Sequence, residues 1–236
     1  DWSNFPSWTW TNTAYYQKQI GDKHTVGALI GYEALHVKFR NLGGSLNGYF
    51  TVSEDAWYLS TGFGDPSSRS VNSNGFENKM LSTFGKVDYA YDDKYFVSAT
   101  VRRDGSSRFA PTNRFAVFPA FSLGWRITGE DFLKDNSIFN DLKLRASWGI
   151  TGNENIRAYN FVNRYGGLVG SAGYDINGTN NSVASGYWQT DIGDPNTKWE
   201  QGINTNIGFD ASLFNDKVSV VLDVYKRVTS DLLYNA

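Results

Sequence analysis

Apolar and polar residues alternate one by one through most of this chain. In FAVFPAFSLGWRI, Phe115, Val117, Pro119, Phe121, Leu123, Trp125 and Ile127 share one face, while Ala116, Phe118, Ala120, Ser122, Gly124 and Arg126 share the other. LKLRASWGI repeats the pattern, with Leu142, Leu144, Ala146, Trp148 and Ile150 opposed by Lys143, Arg145, Ser147 and Gly149. INTNIGFDASL sets Ile203, Ile207, Phe209, Ala211 and Leu213 against Asn204, Asn206, Gly208, Asp210 and Ser212. A strand sends successive side chains to opposite sides, so a period of two defines strands lying between two different environments. About eight segments carry it: Trp8 to Ile20, His24 to Ala34, Lys79 to Tyr91, Lys94 to Arg103, Phe115 to Thr128, Asp141 to Thr151, Lys198 to Leu213 and Lys217 to Val228. The fold class is therefore all-β.

Two architectures satisfy such a pattern: a soluble sandwich that turns its apolar faces inward, and a membrane barrel that turns them outward. Most of the segments reach the ~9–11 residues that a tilted strand needs to cross a bilayer. No run approaches the ~20 apolar residues of a membrane helix, which leaves a barrel open because only alternate barrel residues face lipid. The connections favour the barrel. GDK at 21–23, DDK at 92–94 and NDK at 215–217 are tight and alike, and Asp and Asn suit hairpin turns because they tolerate positive φ. The intervening connections, Leu35 to Asn78, Asp104 to Arg114 and Gly152 to Thr197, are much longer and rich in Gly, Ser and Asn. The segment Thr128 to Asn140 opens Thr-x-x-Asp and predicts a helical turn on the short-turn side. Short turns at one end and long loops at the other is the layout of an antiparallel up-and-down transmembrane barrel.

Composition agrees. Charged residues are 19% of the 236-residue chain, below the usual ~25%, and aromatics reach 16%. Tyr89, Tyr91, Tyr95 and Phe96 flank one short turn, Phe214 lies at another and Trp125 near the helical one, with Phe115, Phe118, Trp148 and Trp199 towards the long loops. Two bands of rings are expected at the two interfaces of a barrel. A formal net charge of -2 offers no basic field for a nucleic-acid backbone. Cysteine is absent, which removes disulfides, thiolate metal sites and cysteine nucleophiles. The chain starts at Asp1 without an initiator Met and ends on SDLLYNA soon after a strand, which predicts an internal piece of something longer.

The stretch KYFVSATVRRDGSSRFAPTNRFAVFPAFSLGWRITGEDFL, followed by DLKLRASWGITGNENI and later DPNTKWEQGINTNIGFDASLFNDKVSVVLDVYKR, resembles the SusC/RagA type of TonB-dependent outer-membrane transporter. LSTFGKVDYAYDDKY and TVGALIGYEA match weaker neighbouring stretches. The resemblance implies a partial TonB-dependent receptor β-barrel domain over 1–236, without the plug or the N-terminal domain. It implies about eight strands of a roughly 22-stranded barrel with a plugged lumen and long extracellular loops. It further implies a place in a Gram-negative, Bacteroidota-type outer membrane and import of oligosaccharides or peptides. The implied partners are the TonB complex, acting through the absent plug, and a SusD-like surface lipoprotein acting as a lid. The alternative is a soluble, secreted glycan-binding β-sandwich.

No Gly-x-Ser-x-Gly elbow, His-Glu-x-x-His pair or Walker loop is present, so no enzyme and no catalytic residue is expected. His24 and His36 lie in separate surroundings. YDINGTNN brings Asp175, Asn177 and Asn180 around Gly178; these are calcium-type donors, but the full loop pattern is missing, and no cofactor is expected. RRDGSSR, Arg102 to Arg108, offers either an anion clamp or wall arginines paired with Asp104 and its neighbours. Because it belongs to the stretch that carries the resemblance, the second reading is preferred, and GITGNENI and DPNTKWE are set aside as specificity determinants for the same reason. Substrate- or lid-contacting candidates are instead the loop residues Trp57, Tyr58, Phe63, Tyr187 and Trp188. Rings beside polar side chains suit both sugar stacking and protein docking. Arg126, Lys143, Arg145 and Asp210 are expected to face the polar lumen or the plug.

Overall fold

The structure is a computed structural model and describes residues 1–48, 53–56, 58, 69–133, 136–167, 173–175, 177–178 and 183–234. Nine strands form one antiparallel sheet. Numbered in chain order they begin with β1 (Trp2–Asn4), β2 (Ser7–Ile20), β3 (His24–Ser45), β4 (Ser70–Tyr91), β5 (Tyr95–Ser106), β6 (Phe115–Arg126) and β7 (Phe139–Asn153). Four short strands then lie within one loop: β8 (Arg164–Gly166), β9 (Gly173–Asp175), β10 (Val183–Ser185) and β11 (Trp188–Asp191). The sheet resumes with β12 (Glu200–Leu213) and β13 (Val218–Ser230). Its order follows the chain, β3-β4-β5-β6-β7-β12-β13, with β1 and β2 end to end along the other edge of β3.

Tight turns join β2 to β3, β4 to β5 and β12 to β13. Asp92 and Asp93 hold φ of 53° and 50°, Gly21 holds 64°, and Phe214, Asn215 and Asp216 hold 55°, 58° and 64°. Paired left-handed residues give hairpin turns whose twist matches the strands, as the Asp- and Asn-rich tripeptides predicted. The β6–β7 connection is two short 3-10 turns at Ile127–Gly129 and Asp131–Leu133. Thr128 forms no helix cap there: its hydroxyl bonds Asp141 and accepts from the Leu142 amide.

Register puts like with like across the sheet. Tyr91, Tyr95, Trp125, Leu144, Phe209 and Leu222 stand in direct line on one face. Asp88, Ser98, Ser122, Ser147 and Asn206 stand in line on the other. The apolar face is bare: Leu123 is 59% exposed, and Val97, Phe121 and Ile207 are similarly open. A sandwich would cover those side chains with a second sheet. Among the described residues the only other sheets are β9 with β10 and β8 with β11, each of two short strands. Among the described residues the sheet does not close on itself, and β2 and β13 each keep one unpaired edge.

The outward apolar stripe also drifts along the strands. Lys226 on β13 is in register, through Thr205, Trp148, Phe121 and Ala99, with Val87 on β4, well inside the apolar run that ends at Lys79. At the opposite edge Lys18 on β2 lines up, strand by strand, with Val224. A drift of roughly one to two residues per strand is the stagger required when barrel strands tilt by about 35–45°. Among the described residues no helix is long and apolar enough to cross a membrane.

Two sequence expectations need correction. The stretch from Leu35 to Asn78 is not all loop, because β3 runs on to Ser45 and β4 starts at Ser70. Alternation fades after Ala34 because, past the hydrocarbon, neither face meets lipid and the residue type no longer reports the strand. The rings also divide between faces. Phe96 lies on the polar face beneath Lys143, while Phe118 and Trp199 are buried rather than placed in an interfacial band. Phe96 and Phe118 stand at even positions of their runs, where alternation alone assigns them to the polar side.

Candidate functional site

At the loop end the three motifs set aside as structural come together. Phe109, the residue directly after RRDGSSR, Ile156 from GITGNENI and Trp199 from DPNTKWE pack with Phe118 into the main buried cluster. The Trp199 ring centroid lies 5.1 Å from Phe109 and 5.6 Å from Phe118, the latter edge-on. β6 and β7 stop pairing beyond Ala120 and Gly149, and the Phe118 ring enters the space beside Gly152. A Cβ at Gly152 would stand 2.1 Å from that ring, so only glycine fits.

Polar bonds tie the same loops down. Trp199 Nε1 donates to the Arg114 carbonyl at 3.0 Å, and Asn113 Nδ2 to the Pro195 carbonyl at 3.2 Å. Arg108 donates to the Ile156 carbonyl and lies 3.9 Å from Glu154. Glu154 also accepts from Asn78 Nδ2, and Asn78 accepts from the Ser107 hydroxyl. A knot of β4 and the loops 107–114 and 154–199 therefore rims the loop end of the sheet. Nothing in the sequence showed that the three motifs meet; their shared membership in the family-like stretches was the one available signal.

The polar wall below the knot pairs its charges internally. Arg102 Nε contacts both Asp104 carboxylate oxygens, at 2.7 and 2.9 Å, and its other nitrogen donates to Ser82 and Glu33. The Asp104 side chain is only 8% exposed, so this arginine is a wall residue, not a free anion clamp. Arg145 donates to Asp210 at 2.9 Å and to Asp223 at 3.3 Å; Asp210 is its diagonal neighbour on β12, and it reaches Asp223 on β13 across the bare backbone of Gly208. Arg126, Lys143 and Asp210 share one register row, with Arg145 one row away on the same face. Lys143 Nζ sits 4.5 Å from the Phe96 ring centroid, and Arg126 contacts Asp141 at 3.3 Å. All four residues predicted to be inward-facing thus stand together on the polar face.

At the short-turn end Glu130 accepts bonds from the Tyr95 hydroxyl and from Trp125 Nε1, with Lys94 3.6 Å away. These donors, Tyr95 first, hold its carboxyl below the ordinary carboxylate range. The two rings that they fix belong to the aromatic row already described.

Of the loop candidates, Tyr58 is exposed on the β3–β4 connection, and Tyr187 and Trp188 are exposed on the β7–β12 connection. Trp188 pairs with Gly166 in the β8–β11 hairpin. Trp57 and Phe63 lie outside the described residues. In the candidate calcium loop Asp175 accepts from the Asn177 amide, and Gly178 holds a φ of 67°; Asn180 lies outside the described residues. Among the described residues no group of three or more His, Cys, Asp and Glu could hold a metal ion. His24 bonds the Tyr89 hydroxyl and His36 lies between Trp8 and Glu77, so neither joins a catalytic constellation.

A one-layer antiparallel sheet with a bare apolar face, a charge-paired polar face and loops knotted at one end is part of an outer-membrane β-barrel wall. More particularly, the chain belongs to the family described as TonB dependent receptor-like, beta-barrel, which matches residues 1–236. It is 34% identical over 223 residues to TonB-dependent receptor P39 of Formosa agariphila, covering 93% of this chain and 20% of that protein. With TonB-dependent receptor SusC of Bacteroides thetaiotaomicron it shares 37% identity over 163 residues, 66% of this chain and 15% of that protein. A solved structure of the RagAB peptide transporter superposes with a TM-score of 0.87 at 30% identity, covering 99% of this chain and 25% of that one. The chain thus spans between a seventh and a quarter of the length of these relatives. It is a SusC/RagA-type receptor segment of the outer membrane.

Proposed function

We propose that this segment forms part of the wall and extracellular rim of a TonB-dependent importer that takes up oligosaccharides or peptides. The observation that carries the reading is the polar wall. Its charges are paired in place, in the Arg102–Asp104 and Lys86–Asp88 pairs and in the Arg145–Asp210–Asp223 triad. A wall that satisfies itself can line a passage or seat a plug without trapping a charged solute. The work is binding and gated passage, with no bond chemistry and no cofactor. Exposed Tyr58, Tyr187 and Trp188 at the rim are available to a substrate or to a SusD-like lipoprotein lid. The name of the RagAB structure, a peptide transporter, supports the peptide branch of the substrate choice.

The test is detergent extraction of the intact receptor from its native outer membrane, followed by mass spectrometry of what accompanies it. A co-purifying surface lipoprotein and a bound peptide or oligosaccharide, with uptake of that ligand lost when TonB is depleted, is the expected result. A receptor that carries neither, and whose host takes up both ligand classes without it, would overturn the reading.

A further inference from the structure

At the loop end β3 and β4 run past the strands beside them. β4 pairs with β3 along its whole length, from Ser70 to Tyr91, but with β5 only from Met80 onward. On the other side of the pair the matching gap is filled: the short strand β1 lies in line with β2 and covers Arg40 to Leu42 of β3. Among the described residues no strand does the same for β4, and the stretch from Ser70 to Phe76 is exposed throughout. One contact fixes which backbone groups this edge presents. Lys79 donates its amide to the Ser107 hydroxyl at 2.9 Å, and its carbonyl accepts from the Ser107 amide at 2.9 Å. Both groups of Lys79 therefore point to the β5 side. That orientation recurs at every second residue of a strand, so Glu77, Gly75, Ser73 and Val71 turn their amides and carbonyls the same way. Ser107 closes the lower end of the ladder, and Val71, Ser73 and Gly75 each offer an amide and a carbonyl to solvent.

Natural sheets blunt an exposed edge with lysine, proline or a bulge. The stretch SVNSNGF, Ser70 to Phe76, contains no charged residue and no proline, and its register with β3 runs without a shift. Gly75 leaves the backbone bare at the middle of the edge; a Cβ there would stand 2.5 Å from the Phe39 carbonyl, so the position is held to glycine. The polar face of the same edge carries rings. Phe76 stands in register with Phe39, with centroids 5.5 Å apart, and Phe5 meets the two at 6.3 and 5.9 Å. Phe5 and Phe76 are both exposed. From Val71 to Glu77 the edge is about 24 Å long, at about 3.4 Å per residue. An oligosaccharide has no alternating amides and carbonyls to match it, whereas an extended peptide does. Such a peptide would prolong the line of β5 along β4 as β1 prolongs the line of β2 along β3.

We propose that the β4 edge from Val71 to Glu77 captures an imported peptide as an added antiparallel strand, with an apolar side chain of the peptide against Phe5, Phe39 and Phe76. Main-chain bonds supply affinity that is indifferent to most of the peptide's sequence, and the rings select one position. The site rests on the importer reading and selects its peptide branch.

The intact receptor in detergent is titrated calorimetrically with a heptapeptide of alternating Thr and Val around a central Phe. Two further versions each carry a pair of N-methyl groups, on alternate amides in one phase or in the other. The central Phe pins one face of the peptide to the rings, so one phase of amides faces β4 and the other faces away. One version should bind like the parent and the other about 25-fold more weakly, at about fivefold per lost bond. Ser73→Pro removes an edge amide that the β3 ladder does not use and should weaken the parent about fivefold, with heat-modifiable gel mobility unchanged. Phe76→Ala should weaken the parent but not a peptide with Ala in place of the central Phe. Equal binding of the two methylated versions would overturn the proposal, as would equal binding by wild type and Ser73→Pro. So would a surface lipoprotein or a second receptor copy released by Ser73→Pro while the peptide stays bound, because the edge would then belong to that protein. No peptide binding in a receptor that still imports an oligosaccharide through TonB would remove this site and leave the importer reading standing. Phase-selective binding in a receptor without TonB-dependent uptake would keep the site and remove that reading.

Discussion

Removing the Trp199 side chain should release the extracellular loops while leaving the barrel wall folded. Trp199 is 3% exposed and joins three otherwise separate chain segments through its contacts with Phe109 and Phe118 and its bond to the Arg114 carbonyl. Truncating a buried tryptophan to alanine costs about 3–5 kcal/mol. The strand ladders do not depend on it, so that cost should fall on local opening of the loop 154–199 rather than on global unfolding. At about 1.4 kcal/mol per decade, the open fraction should rise by roughly two to three and a half decades. Where opening and closing are fast, the nicking rate by a protease follows that fraction. Trp199→Phe keeps most of the packing and loses the N–H donor, a cost of about 1 kcal/mol and about a fivefold faster cut. The assay is timed proteolysis of the intact receptor in detergent, with barrel integrity read by heat-modifiable gel mobility. Unchanged cleavage of Trp199→Ala, or loss of the barrel in step with the loop, would refute the reasoning.

Three further outcomes follow from particular contacts. Leu123→Arg puts a charge on the bare face and should cost about 2–4 kcal/mol near the bilayer midplane, whereas Ser122→Arg, one residue away on the polar face, should cost far less; chemical denaturation of the two variants measures the difference. Asp104→Asn weakens a charge-assisted bond to Arg102 and should lower stability by about 1.5–3 kcal/mol, read from the same denaturation curves. Glu130 has a folded pKa below its ordinary value of 4.5, so its contribution is complete above that value and disappears as pH falls through the lower folded pKa. The receptor's Tm should therefore drop on acidification in that range, and Glu130→Gln should flatten the dependence and lower Tm at neutral pH.

How much of this was legible in the sequence follows from where each residue sits relative to lipid. Within the bilayer the two faces meet different solvents, so alternation in Phe115 to Ile127 or Asp141 to Thr151 reports strand, face and register neighbours together. The four inward candidates, Arg126, Lys143, Arg145 and Asp210, could be assigned to a face for that reason. Their partners could not, because Asp223 reaches Arg145 only through a register that places Gly208 between them. Outside the bilayer the pattern loses its cause, so β3 runs on unannounced past Ala34 and β4 begins unannounced ahead of Lys79. The knot was invisible for another reason. Phe109, Ile156 and Trp199 are far apart in the chain and carry no periodic signal, and only the folded loops bring them together. The role of Glu130 was likewise hidden, since the Thr-x-x-Asp opening of its segment pointed to a helical turn rather than to Tyr95 and Trp125.

The central claim is that the odd-numbered face of β6 meets lipid and the even-numbered face meets the barrel interior. The segment has no native cysteine, so single cysteines introduced from Phe115 to Arg126 in the intact receptor can each carry a spin label. Collision with oxygen, which partitions into lipid, is then compared with collision with a water-soluble nickel chelate. High oxygen access at 117, 119, 121 and 123, low access at 118, 120, 122 and 124, and exclusion of both reagents at 118 would agree with the account. Odd positions closed to oxygen, or no alternation along the strand, would contradict it.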